Sequence, residues 1–388
     1  MLKLGIIGAD NMGSAHATNI LEGKCPDIII TAMADRKESR REWVRDNVPG
    51  VQIFAEGSEL IASGVVDAVL IAVPHYQHPT LAIAAFEHGL HVMCEKPAGV
   101  YTLQVREMIA VADRHPELTI GMMFNQRTNC VYRKMKEIVS SGEMGAIRRT
   151  NWIITNWFRS QSYYDSGAWR ATWEGEGGGV LLNQCPHNLD LWQWICGMPN
   201  KVRAFCHNGK WHDIEVEDDV TAYVEYPNGA TGVFVTTTSD APGTNRFEID
   251  LDKGQLVCDG KKLIKRELSM SIPEFHKTYK GGFGSPEVTE TEVETDGENL
   301  QHVGVLRAFT NKILGRGELI ADGAEGVNGL TISNAMHLSS WLDKTIELPL
   351  DEDLFLEELN KRRATSRLKK NVEEVTFDTS SSYAGTKK

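Results

Sequence analysis

"GIIGADNMGSAH", residues 5–16, decides the fold. An apolar run, Leu4–Ile7, meets Gly8, and a helical pattern opens a few residues later. A phosphate-binding βα turn asks for glycine at three places: for the tight turn, for close backbone approach to a diphosphate, and for helix–strand contact. Gly8 and Gly13 stand in the first and third places, and Asp10 stands in the second. A carboxylate beside a diphosphate is unfavourable unless it turns away or accepts from the loop's own amides. The helix N-terminus, through Asn11, Met12 and Gly13, still offers free N–H groups to phosphates.

Outward from this turn, further apolar runs lie at Ile28–Ala34, Ala68–Val73, Val92–Cys94 and Ile120–Phe124, with helical stretches such as Leu81–His88 and Leu103–Arg114 between them. Runs this continuous suit strands buried on both faces. The alternation predicts an α/β, doubly wound parallel sheet over residues 1–124, a dinucleotide-binding Rossmann domain. The second run ends in Asp35, where an acid accepts both ribose hydroxyls of NAD. Arg36 follows and would face the 2′-phosphate of NADP. NAD is the expected cofactor and NADP the alternative.

Beyond residue 125 the pattern changes. "RTNWIITNWF", "DVTAYVEY", "ATGVFVTTTS" and "RFEIDLDKGQLVCDG" read as strands with hairpin turns such as Pro227-Asn228-Gly229, and helices follow at Leu300–Leu314 and Val327–Lys344. Residues 125–350 are therefore expected to form an α+β domain with a large open mixed or antiparallel sheet. Residues 277–299 read as a long loop. "DEDLFLEEL" and "KRRATSRLKK" give residues 351–388 the look of a charged, solvated tail, disordered over its last ten residues.

Ligands bind at strand carboxyl ends in such sheets. "AVPHYQH" (72–78) and "CEKP" (94–97) end two of the runs, which sets Val73, Pro74, His78, Glu95 and Lys96 at the nicotinamide end of a dinucleotide. A lysine there hydrogen-bonds a substrate hydroxyl and stabilises alkoxide charge. In "GGGVLLNQCPHNLDLWQWICG", residues 177–197, a helical reading puts Asn183, His187 and Asp190 at i, i+4 and i+7. They make one polar stripe on an otherwise apolar helix. Pro186 interrupts the helical ladder just before His187 and would aim it into a cleft. Trp152, Trp157, Trp169 and Trp173 are candidates for stacking on the apolar face of a ligand ring or for core packing.

Composition narrows the classes. A net charge of −12 argues against nucleic acid or an anionic membrane as the main partner. No apolar run approaches the roughly 20 residues of a membrane span. The first residues enter a strand without a leader, which makes the cytoplasm the expected location. Cys25, Cys94, Cys130, Cys185, Cys196, Cys206 and Cys258 contain no CxxC pair or zinc spacing, so reduced thiols and no metal site are expected.

Together, the Rossmann turn, "EKP" at 95–97 and the later "GGG…H…D" segment resemble the glucose–fructose oxidoreductase and inositol dehydrogenase (Gfo/Idh/MocA) family over roughly residues 2–350. The resemblance implies a catalytic Lys96, His187 as general acid/base, and Asp190 supporting the histidine. Pro74 and His78 resemble the nicotinamide-side segment. Arg127 and Trp169-Arg170 resemble residues lining the sugar pocket. Asn183 stands where inositol dehydrogenase-like members carry an aspartate, so a relay through that carboxylate is absent, and Asn183 is left to orient substrate hydroxyls. The family further implies a homodimer or homotetramer. The expected activity is hydride transfer between nicotinamide and a secondary ring hydroxyl of a sugar, glycoside or cyclitol. The rivals are an NAD-dependent glycoside hydrolase and a non-enzymatic nucleotide and sugar sensor.

Overall fold

A computed structural model describes residues 1–367, 369 and 372. Six parallel strands form the first sheet: β1 (Leu2–Ile7), β2 (Ile28–Ala34), β3 (Gln52–Phe54), β4 (Ala68–Ile71), β5 (His91–Cys94) and β6 (Ile120–Met122). Their order is β3-β2-β1-β4-β5-β6. The order reverses between β1 and β4, which opens a crevice above the carboxyl ends of the strands. Leu4, Val69 and Val92 are fully buried because helices cover both faces, and this removes any polar alternation. β3 has no counterpart among the expected strands. It is three residues long, lies at the sheet edge and buries no residue completely, so it presents no apolar run.

The second sheet has nine strands, ordered β14-β13-β12-β11-β7-β10-β9-β8-β15. They are β7 (Ile147–Ile154), β8 (Lys201–Asn208), β9 (Glu217–Glu225), β10 (Thr231–Thr237), β11 (Asn245–Leu251), β12 (Gly254–Cys258), β13 (Leu263–Leu268), β14 (Val288–Glu292) and β15 (Ile346–Glu347). Every pairing is antiparallel except β7 with β10. One face is covered by helices Pro186–Cys196 and Gly326–Leu342. Trp192 stacks on Phe234 at 5.4 Å and donates to Thr150 Oγ1 at 3.0 Å, which fixes helix Pro186–Cys196 on the sheet.

Three expectations are corrected. The stretch 277–299 is not all loop, because β14 adds to the edge of the sheet there. Helix Gln301–Ile313 does not pack with the second domain alone: Val305, Leu306 and Phe309 join the core beneath β1 and β2, so a cut at residue 124 does not divide the packing. Residues 351–367 are not a solvated tail. Helix Glu352–Arg363 buries Phe355 and Leu359, Arg362 stacks 3.9 Å from the Trp341 ring, and Arg363 pairs with Glu174 at 3.0 Å. The last ten residues lie outside the described ones.

All seven cysteines are free thiols. Among the described residues no helix is long and apolar enough to cross a membrane.

Candidate active site

The first turn is built as its glycines require. Gly8 has φ +96°, and a Cβ there would sit 2.3 Å from the Ala72 carbonyl oxygen. A Cβ on Gly13 would lie 1.7 Å from the Gly8 carbonyl oxygen, so helix Asn11–Leu21 reaches the turn only with glycine in place. Asp10 caps that helix, its carboxylate accepting from Asn11 N at 3.0 Å. The carboxylate is thereby spent on the loop's own amide. Met12 and Gly13 follow in the first turn, where helix geometry supplies no backbone acceptor. Asn11 Oδ1 is buried without a hydrogen-bond partner among the described residues.

At the end of β2, Asp35 accepts from Ala9 N at 2.7 Å and from Lys37 N at 2.9 Å. Arg36 donates to Glu56 at 2.8 Å, and both residues border the same cavity. This arrangement fits the adenosine half of NAD: glycine at the points of closest approach, a helix N-terminus for the diphosphate, and a fixed acid for the ribose.

From Gly8, Asp10, Asn11, Met12, Asp35 and Arg36 a single cavity of about 1740 Å³ runs past Val73, Pro74 and His78 to Glu95, Lys96, Asn183 and His187. Lys96 follows β5 and its Nζ donates to the Asn183 main-chain oxygen at 3.0 Å. Pro97 and the end of β4 are tied together by His78, whose Nδ1 lies 2.7 Å from Pro97 O and whose Nε2 lies 2.7 Å from Val73 O. Behind Lys96, Glu95 is buried against His16 Nε2 at 2.7 Å. Burial is the largest single effect and acts to raise the Glu95 pKa, but the His16 hydrogen bond and the charges of His16, His302 and Lys96 together outweigh it and hold the carboxyl down at about 2.

His187 is buried at the start of helix Pro186–Cys196, and its pKa is driven well below 6.5, first by burial and then by the Lys96 charge. Its imidazole is therefore neutral at pH 7. Burial also lowers the Lys96 pKa from 10.5. An amine and a neutral imidazole thus share the wall of one cavity.

The helical stripe is corrected in detail. Pro186 is the first residue of the helix, where a missing N–H costs nothing, and does not break a ladder. Asn183 lies in the preceding turn, held by its own N–H to Gly179 O at 2.9 Å, with its side-chain amide donating to Glu176. Asp190 does not support His187. Its carboxylate takes both arms of Arg127, at 2.8 and 2.7 Å, while Arg127 also donates to Glu325 at 2.7 Å. Arg127 is likewise absent from the cavity wall, being buried over the Phe124 and Trp194 rings. The aromatic candidates divide. Trp157 and Trp169 line the cavity, while Trp152 is fully buried and stacked on Phe247 at 4.3 Å, and Trp173 is buried near His337 and Trp341.

Four residues not singled out from the sequence complete the wall or back it: Glu176, Arg159, Tyr163 and Gln184. Glu176 is buried with Ala171 N and the Asn183 amide on its two oxygens, and burial raises its pKa. Its place directly before Gly177-Gly178-Gly179 was the available signal. Among the described residues no cluster of three or more His, Cys, Asp or Glu side chains is arranged to hold a metal ion.

Comparison with known proteins gives this geometry its class. Residues 2–122 match the model of an oxidoreductase family with an NAD-binding Rossmann fold, and residues 132–257 match that of the Gfo/Idh/MocA C-terminal domain. The chain belongs to the Gfo/Idh/MocA family. It is 28% identical over 239 residues to an inositol 2-dehydrogenase of Corynebacterium glutamicum, a match spanning 59% of this chain and 64% of that protein. It is 24% identical to a 1,5-anhydro-D-fructose reductase of Ensifer adhaerens over 87% of this chain and 95% of the relative. Among solved structures, the WlbA dehydrogenase of Chromobacterium violaceum, in complex with NADH and UDP-GlcNAcA, is 25% identical with a TM-score of 0.78, over 90% of this chain and 96% of that one.

Proposed function

We propose that the protein is an NAD-dependent dehydrogenase that oxidises a secondary ring hydroxyl of a sugar, glycoside or cyclitol to the ketone. The observation that carries this reading is the neutral, buried His187 beside the Lys96 amine in a cavity continuous with the Gly8–Asp35 nucleotide cradle. The relatives' names, an inositol dehydrogenase and an anhydrofructose reductase, agree with it.

Gly8, Asn11, Met12, Gly13 and Asp35 would hold the cofactor, which when bound supplies the hydride acceptor. His187 accepts the hydroxyl proton on its ring nitrogen. Lys96, held by Asn183 O, donates to the same hydroxyl oxygen and stabilises its developing negative charge. Glu176 and Asn183 keep the turn before His187 in place. His187 and Glu176 are buried, and charge developing beside them acts more strongly than it would in solution.

The reading extends to a cytoplasmic homodimer or homotetramer acting on a small carbohydrate, not on nucleic acid or membrane. The open face of the nine-stranded sheet is the proposed contact. Ile153, Val235, Thr221 and Phe205 form one row across four strands there, with Ile153 and Phe205 exposed. The test of function is NAD reduction on a panel of sugars, glycosides and inositols. Turnover on at least one member that is lost in His187→Ala is expected. Reduction on none, with cofactor bound, contradicts the reading.

A further inference from the structure

The substrate end of the cavity carries more positive charge than the proposed chemistry uses. Arg159 sits with its guanidinium carbon 5.1 Å from the Tyr163 ring centre and 5.8 Å from that of Trp157. Arg170 sits 4.7 Å from the same Tyr163 ring and 4.6 Å from that of Trp169. All five side chains line the cavity together with Lys96. The chain as a whole is acidic, at −12, and other partly buried arginines find carboxylates, Arg127 with Asp190 and Glu325 and Arg363 with Glu174, although Arg40 donates only to the Ala9 main-chain oxygen. Among the described residues, neither Arg159 nor Arg170 forms an ion pair. Their guanidinium groups donate to neutral acceptors: Arg159 Nη1 to Phe158 O at 2.9 Å and to Trp157 O at 3.5 Å, and Arg170 Nη1 to Tyr163 OH at 3.0 Å. The nearby acid, Glu176, has both oxygens engaged by Ala171 N and Asn183.

Two guanidinium groups braced on one shared aromatic ring, without carboxylate partners and facing a cavity, are preorganised for an anion. The planar fork of arginine matches carboxylate and phosphate oxygens, and the aromatic faces reduce the side-chain entropy lost on binding. Gln184 adds a neutral contact. It is 5% exposed, its amide donates to Tyr163 OH at 3.3 Å, and its Oε1 is buried with no partner among the described residues, an acceptor available to a ring hydroxyl.

We propose that the substrate ring carries an anionic group, a carboxylate or a phosphate, which Arg159 and Arg170 bind beside the Trp157–Tyr163–Trp169 wall while the ring hydroxyl is presented to Lys96 and His187. The anion site rests on the dehydrogenase reading only for what carries the charge. Arg159 is the discriminating residue, since the neighbouring Trp169-Arg170 pair already accompanies the sugar pocket in the family resemblance.

The experiment measures equilibrium binding to the NADH-loaded protein by tryptophan fluorescence, using matched pairs: glucose against glucuronate, and glucose against glucose 6-phosphate. NAD reduction on the same compounds is followed separately. At least ten-fold tighter binding of one anionic member is expected. That preference, taken as the ratio of anionic to neutral affinity within each pair, should fall at least ten-fold in Arg159→Gln, be partly restored in Arg159→Lys, and weaken with added salt. The glucuronate arm prevailing assigns a carboxylate, and the glucose 6-phosphate arm a phosphate. Equal affinity within both pairs, or a preference that survives intact in Arg159→Gln, overturns the proposal. Absence of NAD reduction alongside a retained anion preference counts against the dehydrogenase reading and not against the anion site.

Discussion

Lys96 Nζ donates to the main-chain oxygen of Asn183 at 3.0 Å, across 87 positions of sequence. This one bond joins the end of β5 in the parallel sheet to the turn that leads into His187. It holds the amine against the wall from which the imidazole projects. Removing it should hurt chemistry more than binding. Lys96→Met is expected to lower kcat by about a hundred- to a thousand-fold, the range for losing one donor at a developing oxyanion. NADH affinity, measured by fluorescence titration, should change little.

The pH dependence follows from two depressed pKa values. His187 works deprotonated, so kcat/KM rises with pH through its pKa, which burial and Lys96 hold well below 6.5. Lys96 works protonated, so kcat/KM falls as pH rises through its pKa, which burial brings below 10.5. A pH–rate profile should therefore show an acid limb below 6.5 and an alkaline limb below 10.5. An acid limb centred above 6.5 would assign the proton to another group.

Arg127 and Asp190 make a stability prediction. The pair is bidentate and both side chains are about 1% exposed. Asp190→Leu leaves a buried guanidinium with Glu325 alone and should cost about 3–5 kcal/mol in urea unfolding. Arg127→Met combined with Asp190→Leu should recover most of that loss, because two buried charges are then removed together. Equal destabilisation in the single and double variants would show that the pair is not coupled.

Cofactor choice is set at the end of β2. Asp35 is fixed by Ala9 N and Lys37 N, while Arg36 is drawn off to Glu56. Asp35→Ser with Glu56→Gln removes the acid and releases the arginine. The ratio of NAD to NADP affinity, read by titration, is expected to fall at least ten-fold. An unchanged ratio would mean that Asp35 does not face the ribose.

Much of this was legible in the sequence because the responsible physics is local. Gly8, Gly13 and Asp35 announce a nucleotide turn through backbone demands that no distant contact alters, and the buried strands show as unbroken apolar runs. β3 was invisible because an edge strand of three half-covered residues needs no apolar run. The roles of Arg127 and Asp190 were misread for a different reason. A charged side chain on an apolar helix looks the same whether it faces a cavity or a buried partner, and the partner here lies 63 positions away. Trp152 and Trp173 were open for the same reason as Trp157 and Trp169, since only packing separates a core indole from a wall indole. Glu176 was missed because its burial depends on Ala171 and Asn183 folding around it.

The most direct test uses a substrate from the turnover panel, deuterated at the carbon bearing the oxidised hydroxyl, incubated with NAD and analysed by mass spectrometry. The account predicts deuterium in the reduced nicotinamide, in step with ketone formation, and neither in His187→Ala. Cleavage of a glycosidic bond with no net labelled cofactor, or reduction undiminished in His187→Ala, would contradict it.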